Sequence, residues 1–282
     1  MNIIIYGAGA TGAKIYNELS SNCENMVIAF TDTNPALWEE ERFGLPVIPP
    51  VDIKKFEYDK IIIATINWPD SIALKLHNNY GIPIKNIDTN FVSRPVENRN
   101  IFLGFFAEIV YDKCIEGSCA EGGVYQGDFS KYINRYFPDR NLYLFDTFKG
   151  FDKRDTQVEH AQGYSMAETG HYNPVTTVDA IKAILPYPEK AIIRKGWFPE
   201  TLSGVNDKFV FVNLDFDLYK PTLSGLKYFY QNMVDGGVIL VHDYFSPSFM
   251  GVKQAVDEFC KSRSIKFIPI GDYYSIAIMK NK

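Results

Sequence analysis

Short apolar, β-rich runs alternate with helical patterns along the whole chain. This alternation constrains the fold more than any other feature, because it is the pattern of parallel sheets built from strand-helix-strand units. The expected class is α/β. In the first third, strands are expected at Ile3–Tyr6, Val27–Phe30 and Lys60–Ala64, with helices near Ala10–Leu19 and Asp70–Tyr80. The alternation pauses at "TNFVSRPVENRN", Thr89 to Asn100, a polar stretch containing Pro95, and restarts at Ile101. Two domains are therefore expected, 1–95 and 96–282. In the second, strands are expected near Ser118–Glu121, Leu142–Phe145, Ala191–Arg194, Phe209–Leu214, Gly237–Val241 and Ile276–Met279. The polar segment Phe151–Pro174 reads as a long loop or lid.

Composition removes several function classes. The 282 residues are 46% hydrophobic and 22% charged, enough to bury a full core. A net charge of -5 and the lack of any Lys/Arg block offer no field for a phosphate backbone, so nucleic acid is not an expected partner. No membrane association is expected either. The richest apolar run, "IFLGFFAEIVY" from Ile101, is broken by Glu108 and reads as a buried amphipathic helix. Without a signal-peptide pattern, and with Cys23, Cys114, Cys119 and Cys260 lacking C-x-x-C or zinc spacing, the expectation is a cytoplasmic protein with reduced thiols. A homo-oligomer is compatible with the sequence.

Two glycine turns carry the candidate chemistry. In "YGAGATGAKI", Gly7, Gly9 and Gly12 have G-x-G-x-x-G spacing, and Asp32 follows at the end of the second strand, where an acid can bind ribose hydroxyls. Glycines there let the backbone turn tightly and let a phosphate approach the helix N-terminus. A ligand-free strand-to-helix turn fits the triplet equally well. The second turn, "SCAEGGVYQGDFSKYI", has Glu121 at the strand end, then Gly122, Gly123 and Gly127, and Asp146 closes the next strand. An acid-bordered glycine turn suits a methyl donor such as S-adenosylmethionine, whose adenosine bears no phosphate to neutralise. An ordinary turn with Asp146 as a helix N-cap fits the same residues.

Further along, "FVFVNLDFDLYKPT" ends in Asp215 and Asp217, and "GGVILVHDYF" ends in His242 and Asp243, before Tyr244. Adjacent parallel strands end at one sheet edge, where ligands of open α/β sheets sit. Two carboxylates and an imidazole there could hold one divalent ion, Mg²⁺ or Mn²⁺ by the oxygen ligands or a softer transition metal by the imidazole, which would lower the pKa of a substrate hydroxyl. The alternative is that the two Asp residues cap the next helix and that His242 and Asp243 form a plain turn. In "KGWFPETL", Gly196 and Trp197 are expected to line the donor pocket. His160 and His171, on the expected lid, are candidate bases or substrate contacts.

The blocks "AEGGVYQG", "LFDTFKGF", "KGWFPETL", "LDFDLYKPTLSGLKYFY", "GGVILVHDYF" and "GVKQAVDEF" resemble, in order and rough spacing, the macrocin O-methyltransferase family over residues 101–282. The resemblance implies a class I Rossmann-like methyltransferase that uses S-adenosylmethionine and a divalent metal, usually Mg²⁺, to methylate a sugar hydroxyl. It places Glu121, Gly123 and Asp146 on the donor, with Gly127, Gly196 and Trp197 beside it, and Asp215, His242 and Asp243 on the metal. Asp217 and Tyr244 are substrate or supporting candidates. That family commonly has two adjacent Asp residues where His242 and Asp243 stand. In the first third, "GAGATGAKI", "IAFTDTNP", "FGLPVIPP" and "DKIIIATIN" resemble the small Rossmann-type domain that precedes the acyltransferase part of bacterial sugar O-acetyltransferases. That resemblance implies a nucleotide-sugar against Gly9, Gly12 and Asp32, although Thr11 stands where those domains usually have His. The expected enzyme is a metal-dependent sugar O-methyltransferase. The rival readings are a nicotinamide-dependent oxidoreductase or bifunctional enzyme using the first turn, and a non-catalytic nucleotide-sugar-binding protein.

Overall fold

A computed structural model describes residues 1–21, 24–65, 69–91, 94–172 and 177–281, in two compact units, 1–95 and 96–282. Cys23 and the end of the expected lid, Asn173 and Pro174, lie outside the described residues.

The first unit runs β1 (Asn2–Tyr6), α1 (Ala10–Ser20), β2 (Met26–Thr31), β3 (Glu41–Arg42), β4 (Leu45–Ile48), β5 (Lys60–Ile63), α2 (Pro69–Tyr80) and β6 (Ile87–Asp88). Its sheet order is β3-β4-β2-β1-β5-β6, parallel except for the β3-β4 pair. The chain leaves β1 between two parallel neighbours, β2 and β5, so the first glycine turn sits at a switch point of strand order. Ile3, Ile5, Phe30 and Ile62 bury one face of this sheet and Ile4, Ala29, Ile61 and Ile63 the other.

The second unit holds α3 (Arg94–Asp112), β7 (Ser118–Gly122), α4 (Ser130–Tyr136), β8 (Leu142–Asp146), α5 (Lys153–Gln162), α6 (Val178–Ile184), β9 (Ala191–Lys195), β10 (Phe209–Leu214), α7 (Tyr219–Asn232), β11 (Met233–Val241), α8 (Met250–Arg263), β12 (Ile268–Pro269) and β13 (Ile276–Met279). Seven strands lie in the order β12-β13-β11-β10-β7-β8-β9. β13 runs antiparallel to β11, while β11, β10, β7, β8 and β9 are parallel. Every residue of β10 is buried, as expected of a central strand covered on both faces. Leu103, Phe106, Ile133 and Phe137 pack on one side, and Leu226, Phe229, Val256 and Phe259 on the other. Each such side chain contributes roughly 1.5–3 kcal/mol of burial energy.

Two expectations need correction. The polar stretch Thr89–Asn100 is not all linker, because α3 begins at Arg94. The expected lid is not one long loop: Lys153–Gln162 is a helix with Asp152 as N-cap and Gly163 in the left-handed C-cap conformation. Its apolar periodicity is weak because polar bonds, described below, hold it in place. Among the described residues no helix is long and apolar enough to cross a membrane, and Cys114, Cys119 and Cys260 are free thiols.

Candidate active site

In the second unit, backbone bonds tie the strand ends into a row. His242 N donates to Leu214 O (2.9 Å), Asp215 N to Gly122 O (2.8 Å), Gly123 N to Phe145 O (2.9 Å) and Gly196 N to Asp146 O (2.9 Å). This edge therefore carries the second glycine turn, Asp146, "GW" and both acidic strand ends together.

Asp215, His242 and Asp243 each point one ligand atom into a common space, all within 4.8 Å of one another. His242 Nδ1 lies 3.0 Å from Asp215 Oδ1 and 2.9 Å from Asp243 Oδ2. Side-chain exposures of 22% for His242 and 21% for Asp215 leave the cluster open to a ligand, whereas Asp243 lies deeper. Burial opposes the charge on His242, but Asp215 and Asp243 outweigh it and raise the imidazole to about 10. Burial likewise opposes ionisation of Asp215 and Asp243, yet the neighbouring His242 holds both below the usual carboxylate range. Asp217 goes the other way: burial, then the charge of Asp243 and a hydrogen bond with it, push its carboxyl well up. Asp217 and Asp243 both sit at positive φ (62° and 59°), a conformation Asp tolerates better than most residues. The helix-capping alternative does not hold for either Asp215 or Asp217. The N-cap of α7 is Leu218, and the N–H of Tyr219 donates to Glu159 Oε1 at 2.7 Å.

Sequence reasoning missed Arg99. Its guanidinium donates to Asp215 Oδ2 at 3.0 Å and lies over the Phe129 ring at 4.3 Å, a stacked geometry suited to a planar cation. No local signal marks it, since 116 positions separate the partners.

The acids beside the two glycine turns are strongly braced. Asp146 Oδ2 accepts the N–H groups of Val124 (2.8 Å) and Tyr125 (3.0 Å), and Oδ1 accepts that of Phe148 (2.6 Å). It is not a helix N-cap; it clasps the glycine turn of the preceding strand. Asp32 does the same in the first unit, where Oδ2 accepts from Ala8 N and Oδ1 from Asn34 N, both at 2.9 Å. A Cβ at Gly12 would stand 2.0 Å from Gly7 O, so that glycine serves helix-strand packing, whereas Gly9 faces open space. Gly7 is at φ +110°.

Glu121 is fully buried, bonded to the Ser130 hydroxyl and to Asn213 Nδ2 (3.0 Å), and burial pushes it up to about 8. Between its ordinary 4.5 and about 8, the folded protein holds a proton that the unfolded chain releases, so stability falls as pH rises through that window. Glu121→Gln is expected to flatten this slope in denaturant titrations at pH 5 to 8. An unchanged slope would show that Glu121 ionises normally in the folded state.

Other candidates have evident packing roles. Trp197 Nε1 donates to Asp155 Oδ2 (2.7 Å), and the Arg154 guanidinium covers its ring at 3.8 Å. Tyr244 is buried and its hydroxyl donates to Asp257 Oδ1 at 2.8 Å. Gly196 and Gly127 adopt positive φ (144° and 79°). His160 is exposed in the last turn of α5, and His171 stacks on Phe151. Among the described residues, neither joins the metal-type cluster.

A family model described as Macrocin-O-methyltransferase (TylF) matches residues 101–276, most of the chain. The chain belongs to the macrocin O-methyltransferase family. Its second unit is accordingly an S-adenosylmethionine-dependent O-methyltransferase domain. Residues 1–87 match a second family model, C2185-like, N-terminal. Among solved structures, the O-methyltransferase NovP aligns with a TM-score of 0.53 at 21% identity, covering 66% of this chain and 80% of its own. The calicheamicin methyltransferase CalS11 aligns with a TM-score of 0.58 at 17% identity, covering 82% and 97%. These likenesses show the class I Rossmann-like fold. Among curated proteins, the UDP-N-acetylmuramoylalanine-D-glutamate ligase of Rickettsia bellii is 36% identical over 93 residues, 32% of this chain and 20% of the ligase. The match thus spans a fifth of the ligase's length.

Proposed function

We propose that this macrocin O-methyltransferase family member methylates a hydroxyl of a sugar or sugar-containing metabolite, with a divalent ion, Mg²⁺, held by Asp215, His242 and Asp243. The observation that carries this reading is the convergence of three ligand atoms within 4.8 Å at the edge that also bears the glycine turn and Asp146. The two carboxylates suit Mg²⁺, whereas the His242 imidazole, which holds its proton between them without an ion, would have to release it to bind and suits a softer metal better. The sugar is supported by CalS11, described as a TDP-rhamnose 3'-O-methyltransferase, whose fold this chain shares.

In this reading the turn from Glu121 to Gly127, with Asp146, Gly196 and Trp197, holds the donor. Bound there, S-adenosylmethionine supplies an electrophilic methyl group, and the ion supplies the charge that eases ionisation of the acceptor hydroxyl. Asp217, whose carboxyl is pushed well up and so keeps its proton, donates a hydrogen bond to Asp243 and steadies that carboxylate, while the proton lost by the hydroxyl leaves to solvent. Arg99 keeps Asp215 in one rotamer and offsets the negative charge of the cluster. Asp146 fixes the turn backbone through three N–H bonds and keeps one lone-pair site for a ribose hydroxyl. The first unit takes the nucleotide end of an activated sugar at Gly7, Gly9 and Gly12, a reading supported by the open space at Gly9 and the uncapped start of α1.

Calorimetric titration with S-adenosylhomocysteine tests the donor site. Saturable binding is expected in the wild type and strong loss in Asp146→Ala; no binding in the wild type would overturn the reading. The same titration with a nucleoside diphosphate sugar tests the first unit, where heat unaffected by Asp32→Ala would remove the proposed role of Asp32.

A further inference from the structure

Neither the donor turn nor the acidic cluster accounts for two exposed aromatics that stand beside them. Tyr125 and Tyr172 expose 43% and 44% of their surface, and both hold positive φ (49° and 56°), which is costly for a bulky side chain. Their rings meet edge to face, with centroids 5.7 Å apart and planes at 66°. Such strain persists only where surrounding bonds over-determine the conformation, and here they do.

Tyr125 is set from the donor side, by the bond from its N–H to Asp146 Oδ2. Tyr172 arrives from the other side, on the segment after α5. That helix is fastened by the Trp197–Asp155 bond and by Glu159, whose carboxylate accepts from Tyr219 N (2.7 Å) and the Ser165 hydroxyl (2.8 Å). The segment then closes on its own start: Gly170 N donates to Phe151 O (2.9 Å) and Phe151 N to His171 O (3.0 Å). This brings the Tyr172 ring edge-on to Phe151 at 5.4 Å. Burial, followed by the charges of Asp217, Asp243 and Asp215, raises the Tyr172 hydroxyl to about 12. The phenol therefore stays neutral, able to donate or accept a hydrogen bond within the field of the acids.

We propose that Tyr125 and Tyr172, in edge-to-face contact, form one aromatic wall of the acceptor site beside the donor turn and the acidic cluster and are specificity-determining residues that select acceptors with an apolar pyranose face. This rests on the methyltransferase reading and names the part of the acceptor that the site recognises. Aromatic walls with a few placed polar groups are the usual lining of small-molecule sites. A contact of this kind changes affinity by about fivefold.

The test uses the full chain saturated with S-adenosylhomocysteine, and saturation-transfer NMR with methyl α-L-rhamnopyranoside and methyl β-D-glucopyranoside as probes. Wild-type protein is expected to transfer saturation to at least one pyranoside. Tyr172→Ala and Tyr125→Ala should bind it about fivefold more weakly, Tyr172→Phe should recover most of the loss, and both Tyr172 variants should keep the donor-product affinity within about twofold. Undiminished pyranoside binding in both alanine variants would overturn the proposal alone, as would donor-product binding without any pyranoside signal in the wild type. Failure of the wild type to bind S-adenosylhomocysteine would overturn the methyltransferase reading and this inference with it.

Discussion

Gly123→Ala is expected to cost more than any other single methyl group added to this chain's second glycine turn. At φ +82° an L side chain is strained, roughly 1–3 kcal/mol before any contact is considered. The added Cβ would also stand 1.9 Å from the carbonyl oxygen of Asp215 and 2.6 Å from its carbon, both backbone atoms that cannot rotate away. Relief requires moving either the glycine turn or the end of β10, and Asp215 moves with the latter. Gly163→Ala is the matched control: its φ is +66°, yet nothing lies within 4 Å of its added methyl. Thermal unfolding should show a large drop in Tm for Gly123→Ala and a small one for Gly163→Ala, with donor-product binding lost only in the former. Equal shifts in the two variants would mean that the approach to Asp215 is unimportant.

Asp243→Asn is expected to abolish most turnover while leaving the fold intact. Asn tolerates the positive φ of this position as Asp does, so the backbone at 59° has no reason to relax. What is lost is a charge. Without it His242 keeps only Asp215 as a carboxylate neighbour within the cluster, and the divalent ion proposed there would meet a neutral amide oxygen in place of an anionic one. Metal-assisted polarisation is worth several kcal/mol, so kcat should fall by about 10²–10³ at unchanged affinity for S-adenosylhomocysteine. Turnover near the wild-type level would remove Asp243, and the ion it is proposed to hold, from the chemistry.

The parts of the candidate site that were legible in the sequence share one property: they are polar groups that end apolar strands. "FVFVNLDFD" and "GGVILVHD" announce themselves because buried parallel strands tolerate charge only where they emerge from the sheet. The structure places those ends side by side through the bonds from His242 N to Leu214 O and from Asp215 N to Gly122 O. Arg99 gave no such sign. It lies on a helix whose start was read as polar linker, and only the tertiary fold brings it to Asp215. The helix α5 was invisible to periodicity for a related reason: Asp155 and Glu159, rather than an apolar stripe, dock it onto Trp197 and the start of α7. Strands β3, β6 and β12 are two residues each, too short for any pattern of alternation. The glycines were read as admitting a ligand, and the structure gives two of them a packing reason as well. Gly12 and Gly123 are required by the approach of the protein's own backbone, to Gly7 O and Asp215 O respectively, whatever ligand the turns also admit. Asp32 and Asp146, read as ribose acceptors, clasp their turns through backbone N–H groups, a contact between neighbouring strand ends that spacing alone does not specify.

The measurement that bears most directly on the whole account is transfer of a labelled methyl group from S-adenosylmethionine to a panel of nucleoside diphosphate sugars, in chelator and after Mg²⁺ is restored. The account predicts label on a sugar hydroxyl with Mg²⁺, little or none in chelator, and loss of the Mg²⁺-dependent signal in Asp243→Asn. Label transfer that is indifferent to both chelator and Asp243→Asn would contradict the proposed metal site, and a wild type that binds the donor product yet labels no sugar with Mg²⁺ present would contradict the proposed acceptor.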